Sequence, residues 1–222
     1  MNYVYLVLLT FALALLVNYL PYVGKVFRVV NTLFHESAHA FMALFTNAEV
    51  VRINLFSDSS GSALTKSKYW ISKFLVSVAG YAGASVAGYF LWKLFLHNQL
   101  TIVFFVFILL AIINLIFWVR NWYGIIWLLV FIGILATSFL YLPLFYHRFI
   151  LLFFLSSIII NSLSSAFVLL RISFKEPKQA GDAANLKLFT FIPAIVWSLL
   201  FFAFAGYMVY LEAFLFKLFI KF

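Results

Sequence analysis

Long apolar runs alternate with short polar stretches along the whole chain. The seven runs cover residues 3–20, 25–48, 69–97, 100–119, 122–142, 147–171 and 188–216. Each is close to the roughly 20 residues that a helix needs to cross a bilayer. The pattern predicts an all-α polytopic membrane protein with about six to seven transmembrane helices, since the first run could lie peripherally. It also predicts that residues 1–222 form a single integral membrane domain.

One short segment has a different period. After the second run, Val51, Ile53 and Leu55 alternate with polar residues, which is typical of a strand. A turn at 57–61 and a second short strand at 62–66 complete a predicted β-hairpin. Such a hairpin could offer a sheet edge to an extended substrate segment, or it could be a surface feature with no substrate role.

The composition supports the membrane assignment. The chain is 67% hydrophobic and only 9% charged, with a mean hydropathy of +1.13. Its formal net charge of +9 comes from Lys and Arg at the ends of the runs, which favours contact with the lipid bilayer over nucleic acid. Without cysteine, any metal must be held by His, Asp, Glu or Asn.

The second apolar run contains His35, Glu36 and His39, the pattern H-E-x-x-H. Histidines four residues apart share one helical face and can reach a single ion. Glu36 lies on the same turn and can take a proton from a water molecule at the metal. Ionisable groups at membrane depth are costly and usually functional, so the motif predicts a zinc-hydrolase helix.

A catalytic zinc site normally has three protein ligands. Of the remaining acidic residues and histidines, only Glu176 and Asp182 lie just before the last run and on the predicted side of the membrane. Asp182 could instead cap the N-terminus of the last helix.

Two asparagines are candidates to support the site. Asn31 shares a helical face with both motif histidines and could hydrogen-bond one of them, or it could simply contact a neighbouring helix. Asn161 lies in a polar stripe with Ser157 and Ser165, which either joins helices or lines a watery cavity.

The third run contains small residues at spacing four, among them Gly80, Ala84 and Gly88. Such a ridge allows close helix packing in lipid, so we expect this helix to press against the motif helix.

The orientation is predicted from the basic residues between the runs. Nine Lys and Arg lie on the side of the N-terminus and six on the other side. This bias favours a cytoplasmic N-terminus.

The order of several segments resembles a known family. HESAHAFMALFTNAEVVRI is followed by a Gly-containing hairpin, then AGYAGAS, RNWYG and GDAANL. Over about residues 31–197 the chain resembles the compact bacterial branch of the site-2 protease family, the intramembrane zinc metalloproteases. Arg120 and Asn121, which open the RNWYG segment, are further candidates to support the site or contact substrate.

The resemblance implies a role for each motif residue. His35 and His39 would bind Zn²⁺, Glu36 would be the general base, and Asp182 would complete the coordination. Better-known members carry Leu-Asp-Gly where this chain has Gly181-Asp182-Ala183.

The resemblance also implies a setting in a bacterial plasma membrane and cleavage of a membrane-protein partner in or near a transmembrane segment. A catalytically silent scaffold that keeps the fold is one alternative. A metal or solute transporter is the other, although no internal repeat is evident.

Overall fold

The computed structural model describes residues 3–220, which form eight α-helices and one two-stranded antiparallel sheet. In chain order the elements are α1 (Tyr3–Tyr19), α2 (Val23–Phe45), β1 (Glu49–Leu55), β2 (Gly61–Lys66), α3 (Trp70–Leu96), α4 (Leu100–Ile113), α5 (Trp122–Tyr141), α6 (Leu144–Lys175), α7 (Gly181–Thr190) and α8 (Ala194–Ile220). A π-helical turn, Asn114–Trp118, extends α4, and a 3-10 turn, Pro177–Gln179, precedes α7.

Five helices are long and apolar enough to cross a membrane: α3, α4 with its π-helical extension, α5, α6 and α8. Helices α1 and α2 pass the same test only as a pair, bent by 108°. The break contains Pro21, which has no N–H to continue a helix. The predicted all-α polytopic fold with a hairpin after the motif helix is confirmed, and its five to six spans are one fewer than the six to seven predicted.

The last predicted run, residues 188–216, is divided between the end of α7 and most of α8. Helix α7 ends at Thr190, Phe191 adopts the left-handed conformation with φ 62°, and Pro193 directly precedes α8. The apolar run predicted over residues 188–216 therefore does not form one continuous helix. The residue before a proline is biased away from helix, so the chain breaks there despite its apolar composition.

The motif helix α2 lies at the centre of the fold. It contacts α1, α3, α6 and both strands, and α3 in turn contacts α6, α7 and α8. At Gly83 of α3 an added Cβ would meet the Cβ of Ala38 in α2 at 2.5 Å. The small residues of α3 therefore allow close contact with the motif helix, as their spacing predicted.

The hairpin folds back along α2. At its turn, Thr32 donates a hydrogen bond to the backbone carbonyl of Ser59 over 2.7 Å, and Arg28 donates to the Ser59 hydroxyl over 3.2 Å. The two strands pair antiparallel, from Glu49 opposite Lys66 to Leu55 opposite Gly61. The hairpin is thus hydrogen-bonded to the motif helix at its turn, and both of its strands contact that helix.

The outer edge of β1 is covered by the segment between α4 and α5. Ile53 forms a parallel bridge with Val119, and the Arg120 N–H donates to the Ile53 carbonyl over 3.2 Å. The Asn121 side chain accepts from the Leu55 N–H over 3.0 Å and donates to the Leu55 carbonyl over 2.5 Å. Among the described residues β2 pairs only with β1, so its outer edge is the open edge of the sheet.

Candidate metal centre

Three side chains from two distant parts of the chain converge on one point. The Nε2 atoms of His35 and His39 are 3.1 Å apart, and the Oδ2 atom of Asp182 lies 3.2 Å from the first and 3.3 Å from the second. His39 is buried, and the other two side chains are only slightly exposed. Two imidazole nitrogens and one carboxylate oxygen therefore form a nearly equilateral triangle.

This triangle fits a metal ion. Ligands about 2.0 to 2.1 Å from one tetrahedral ion are about 3.3 Å from one another. The donor set also suits zinc, which is bound in proteins by His nitrogen and carboxylate oxygen. The three residues leave one position of a tetrahedron free, as catalytic zinc sites do.

The hydrogen bond at the far side of the His39 ring prepares it as a ligand. Its Nδ1 lies 2.6 Å from the backbone carbonyl of Val76 in α3. A carbonyl only accepts, so Nδ1 carries the proton and Nε2 presents its lone pair to the centre. The His35 ring packs edge-on against the Tyr81 ring at 4.6 Å, and Tyr81 stacks on Phe201.

Gly80 forms the wall of the centre on the α3 side. A Cβ added there would overlap His39 Nε2 and Cε1 and would lie 2.6 Å from His35 Cε1. No larger residue fits against the two imidazoles, so a position predicted only for helix packing also shapes the metal centre.

Asp182 is placed by the packing of α7. Ala180, Ala183 and Leu186 are fully buried against α6 and α8, which turns the first turn of α7 toward the histidines. The cap residue of α7 is Ala180, so Asp182 is not the N-cap. Burial raises the pKa of the Asp182 carboxyl, but with no metal between them the imidazoles in their protonated form lower it further by charge and hydrogen bonding, so its pKa lies below the usual range. The other candidate, Glu176, is exposed at the end of α6.

Glu36 lies between the histidines and the hairpin. The backbone N–H of Ala63 in β2 donates to its carboxylate. At Gly61 an added Cβ would come within 2.5 Å of Glu36 Oε1 and 2.6 Å of Thr32 Cγ2. The first residues of β2 therefore fix where the carboxylate lies.

A cavity of about 1310 Å³ connects these parts. Its walls include His35, Glu36, His39 and Asp182 together with β2 from Gly61 to Lys66. One end reaches the hairpin turn, and the other is bordered by the start of α3 and the end of α6. We call this second end the cavity mouth, formed by Lys66, Lys73, Arg171 and Phe189.

The two predicted supporting asparagines both line this cavity. Asn31 is buried, but its Oδ1 has no hydrogen-bond partner among the described residues, and Val76 rather than Asn31 holds His39. Asn161 donates to Asn18 of α1 over 2.8 Å, and Asn18 donates to Ser157 over 2.9 Å. The polar stripe of α6 therefore both joins helices and lines the cavity.

Arg120 and Asn121 do not line the cavity. Asn121 holds the outer edge of β1, and the Arg120 side chain donates to the carbonyls of Ile116, Phe117 and Val119. Both lie on the side of β1 away from β2, so neither lies beside the metal ligands or in the cavity wall. The pair supports the hairpin instead.

Sequence reasoning missed several residues of the site. Tyr81 and the carbonyl of Val76 carry no signal in the sequence, because their roles depend on how α3 packs on α2. Asn185 also lines the cavity. Its position one helical turn after Asp182 is the only signal that could have found it.

Comparison with known families decides the assignment. The model of the Peptidase M50B-like family matches residues 7–212, nearly the whole chain. The chain belongs to this family. No curated protein and no solved structure matches the chain significantly.

Membership confirms the resemblance to the site-2 protease family. This chain is therefore an integral membrane member of a peptidase family, with a His-His-Asp group that could hold a metal ion.

Proposed function

We propose that this chain is a zinc-dependent intramembrane endopeptidase that cleaves a peptide bond in or near a transmembrane segment of a partner membrane protein. The observation that carries the proposal is the triangle of His35, His39 and Asp182, with Glu36 beside it in the wall of a large cavity. A metal-binding group with a carboxylate next to it is what metal-assisted peptide hydrolysis requires.

Each residue has one task in this mechanism. His35, His39 and Asp182 would hold Zn²⁺, which would supply a Lewis acid for the scissile carbonyl and make water a stronger nucleophile. Glu36 accepts the proton from the attacking water and passes it to the leaving amine. The Ala63 N–H holds the Glu36 carboxylate in place for both transfers.

The open edge of β2 supports a way of holding the substrate. A transmembrane helix must unwind locally before a peptide bond is accessible, and its freed backbone groups then need partners. Apart from the Ala63 N–H, which donates to Glu36, the outer edge of β2 has no strand partner among the described residues and runs along the same cavity, so an unwound segment can pair with it as an added strand. The outer edge of β1 is already occupied by Val119 and Asn121.

We further propose that the protein lies in a bacterial plasma membrane with the cavity mouth on the cytoplasmic side. The family resemblance supports the first point. The excess of Lys and Arg among the loops on the mouth side supports the second. The N-terminus is also on the cytoplasmic side if α1 and α2 each cross the membrane.

The metal is tested by elemental mass spectrometry of detergent-purified protein. We expect near-stoichiometric zinc in the wild type and in His97→Ala, and loss of zinc in His35→Ala and Asp182→Ala. His97 ends α3 and is outside the cavity, so it is the matched control. Wild-type protein that is folded but without zinc, purified in the absence of chelators, would contradict the proposal.

Activity is tested with Glu36→Gln and the control Glu176→Gln. Each protein is reconstituted with bacterial membrane-protein extract, and new peptide termini are identified by mass spectrometry. We expect termini from the wild type and Glu176→Gln, and none from Glu36→Gln, which still binds zinc. Equal termini from Glu36→Gln would exclude Glu36 as the base. Partner binding without turnover by any form would favour the silent scaffold.

A further inference from the structure

The cavity mouth is rich in positive charge. Lys66 ends β2, Lys73 lies in the first turn of α3, and Arg171 lies near the end of α6. All three are exposed and line the same cavity. Among residues 3–220 the ion pairs within 4.0 Å join only Asp182 and the two histidines, so these three cations have no carboxylate partner at that distance.

The carboxylates of the cavity are engaged elsewhere. Glu36 and Asp182 belong to the metal centre, and Asp58 lies in the hairpin turn. There it accepts hydrogen bonds from the Ser60 N–H over 2.9 Å and the Ser60 hydroxyl over 2.6 Å. The mouth is therefore a cationic opening into the cavity.

The strand geometry relates this charge to the bond that is cut. Along β2 the exposed residues are Ser62, Leu64 and Lys66, which share one face of the strand. Lys66 is three residues beyond Ala63 and five beyond Gly61, the two positions that touch Glu36. A residue paired with Lys66 on an added strand therefore lies three to five positions from the residue nearest Glu36.

We infer that this site prefers substrates with acidic residues three to five positions from the scissile bond, on the side that faces the cavity mouth. Lys66 meets the acidic side chain as a cross-strand neighbour, and opposite charges in that position attract. Lys73 and Arg171 add positive charge to the wall of the same cavity. The inference rests on the proposed function, because it assumes that the cavity receives a peptide.

The rest of the mouth fits a segment at the membrane surface. Phe167, Val168 and Phe189 line the cavity beside the cations. Apolar walls next to positive charge match a peptide in which an apolar span meets an acidic extension. The three cations line the same cavity as the strand edge and the metal ligands. Cations whose only role is to contact lipid headgroups would not need to line this cavity.

The test is a binding measurement in neutral, lipid-free detergent with the Glu36→Gln protein. Three fluorescent peptides share one apolar segment of about 20 residues and carry a Glu, Gln or Lys extension. We expect the Glu peptide to bind roughly fivefold more tightly than the Gln peptide, and the Lys peptide to bind most weakly. The preference should shrink as salt is raised from 0.05 to 0.5 M, since screening weakens exposed charge pairs.

Charge-reversal variants locate the effect. The first variant combines Lys66→Glu, Lys73→Glu and Arg171→Glu in the Glu36→Gln background. It should reverse the order of affinity, so that the Lys peptide binds most tightly and the Glu peptide most weakly. The matched control is Lys68→Glu with Lys178→Glu and Lys187→Glu, three exposed cations that do not line the cavity. It changes the net charge equally and should keep the preference for the Glu peptide.

Several results would overturn the inference. These are equal binding of all three peptides, a preference that survives salt, or a preference lost equally in the control. Loss of the preference on adding phosphatidylglycerol would assign the mouth to lipid headgroups.

Zinc content shows that each variant is folded. The salt series tests the charge preference even if the mouth variants do not fold, because it uses only the Glu36→Gln protein. If the Glu peptide binds preferentially but the wild type does not cleave it, the result contradicts the proposed endopeptidase activity and still supports the inferred recognition of acidic peptides.

Discussion

Gly80 and Gly61 each lie directly against the reactive groups, and neither position leaves room for a side chain. Gly80 in α3 touches the two imidazoles, whereas Gly61 at the start of β2 touches the Glu36 carboxylate. Substitutions at the two positions should therefore separate metal binding from proton transfer.

We expect Gly80→Ala to lose most of its zinc, because the new methyl group overlaps both imidazole rings and moves them off the triangle. Elemental mass spectrometry of the purified variant measures this. Gly206→Ala in α8 is the control, since nothing lies within 4 Å of a Cβ at that position. Full zinc occupancy in Gly80→Ala would mean that α3 can shift away from α2 at little cost.

We expect Gly61→Ala to keep its zinc and to cleave about tenfold more slowly or worse. The methyl group displaces the flexible end of Glu36 and leaves the histidines in place, and a small misplacement of a catalytic group has a large effect on rate. Zinc content and the appearance of peptide termini are measured on the same preparation. A cleavage rate equal to that of the wild type would show that Glu36 reaches the water from another rotamer.

At the scale of elements, the hairpin depends on a support outside itself. A two-stranded hairpin is marginally stable alone. Here Asn121 satisfies both backbone groups of Leu55, and Val119 pairs with Ile53. The supported edge is that of β1, which leaves the β2 edge open toward the cavity.

We expect Asn121→Ala to loosen the hairpin, since Leu55 loses a donor and an acceptor at a cost of about 1–3 kcal/mol. Hydrogen–deuterium exchange of Glu49–Leu55 should become roughly tenfold faster. The control Asn54→Ala removes only an exposed 3.4 Å hydrogen bond to Ser62 and should leave exchange unchanged. Equal exchange in the two variants would show that Val119 and Arg120 alone hold the strand.

At the scale of the whole molecule, the metal centre joins two elements that are far apart in the chain. His35 and His39 come from α2, and Asp182 comes from α7. Helix α7 is otherwise held by a small apolar cluster and by two indoles, Trp70 donating to the Phe189 carbonyl and Trp197 donating to the Thr190 hydroxyl. A bound ion would therefore tie α7 to the centre of the fold.

We expect removal of zinc by a chelator to lower the Tm of the wild type by roughly 5–10 °C. Occupancy at 100 times Kd is worth about 2.7 kcal/mol, and 1 kcal/mol shifts the Tm of a chain this size by about 2–4 °C. Differential scanning fluorimetry in detergent measures the shift. Asp182→Ala, which lacks the tie, should show little response to the chelator. A similar response in both proteins would place the effect outside this centre.

The sequence by itself determined the membrane fold, the hairpin and the motif helix. These follow from local patterns: apolar runs of bilayer length, a period of two at 51–55, and histidines four apart on one helix. It also narrowed the third ligand to Glu176 and Asp182, with the family resemblance favouring Asp182, which the structure places beside the histidines.

Tertiary structure decided what each element faces. The Trp70 indole of α3 donates to the carbonyl of Phe189 and so holds the end of α7 from a helix that is distant in the sequence. The contact of Gly80 with both imidazoles and the attachment of Asn121 to β1 likewise join residues that are distant in sequence. Helix and strand periods specify which residues share a face. Only packing in three dimensions specifies what that face meets, because the partner lies elsewhere in the chain.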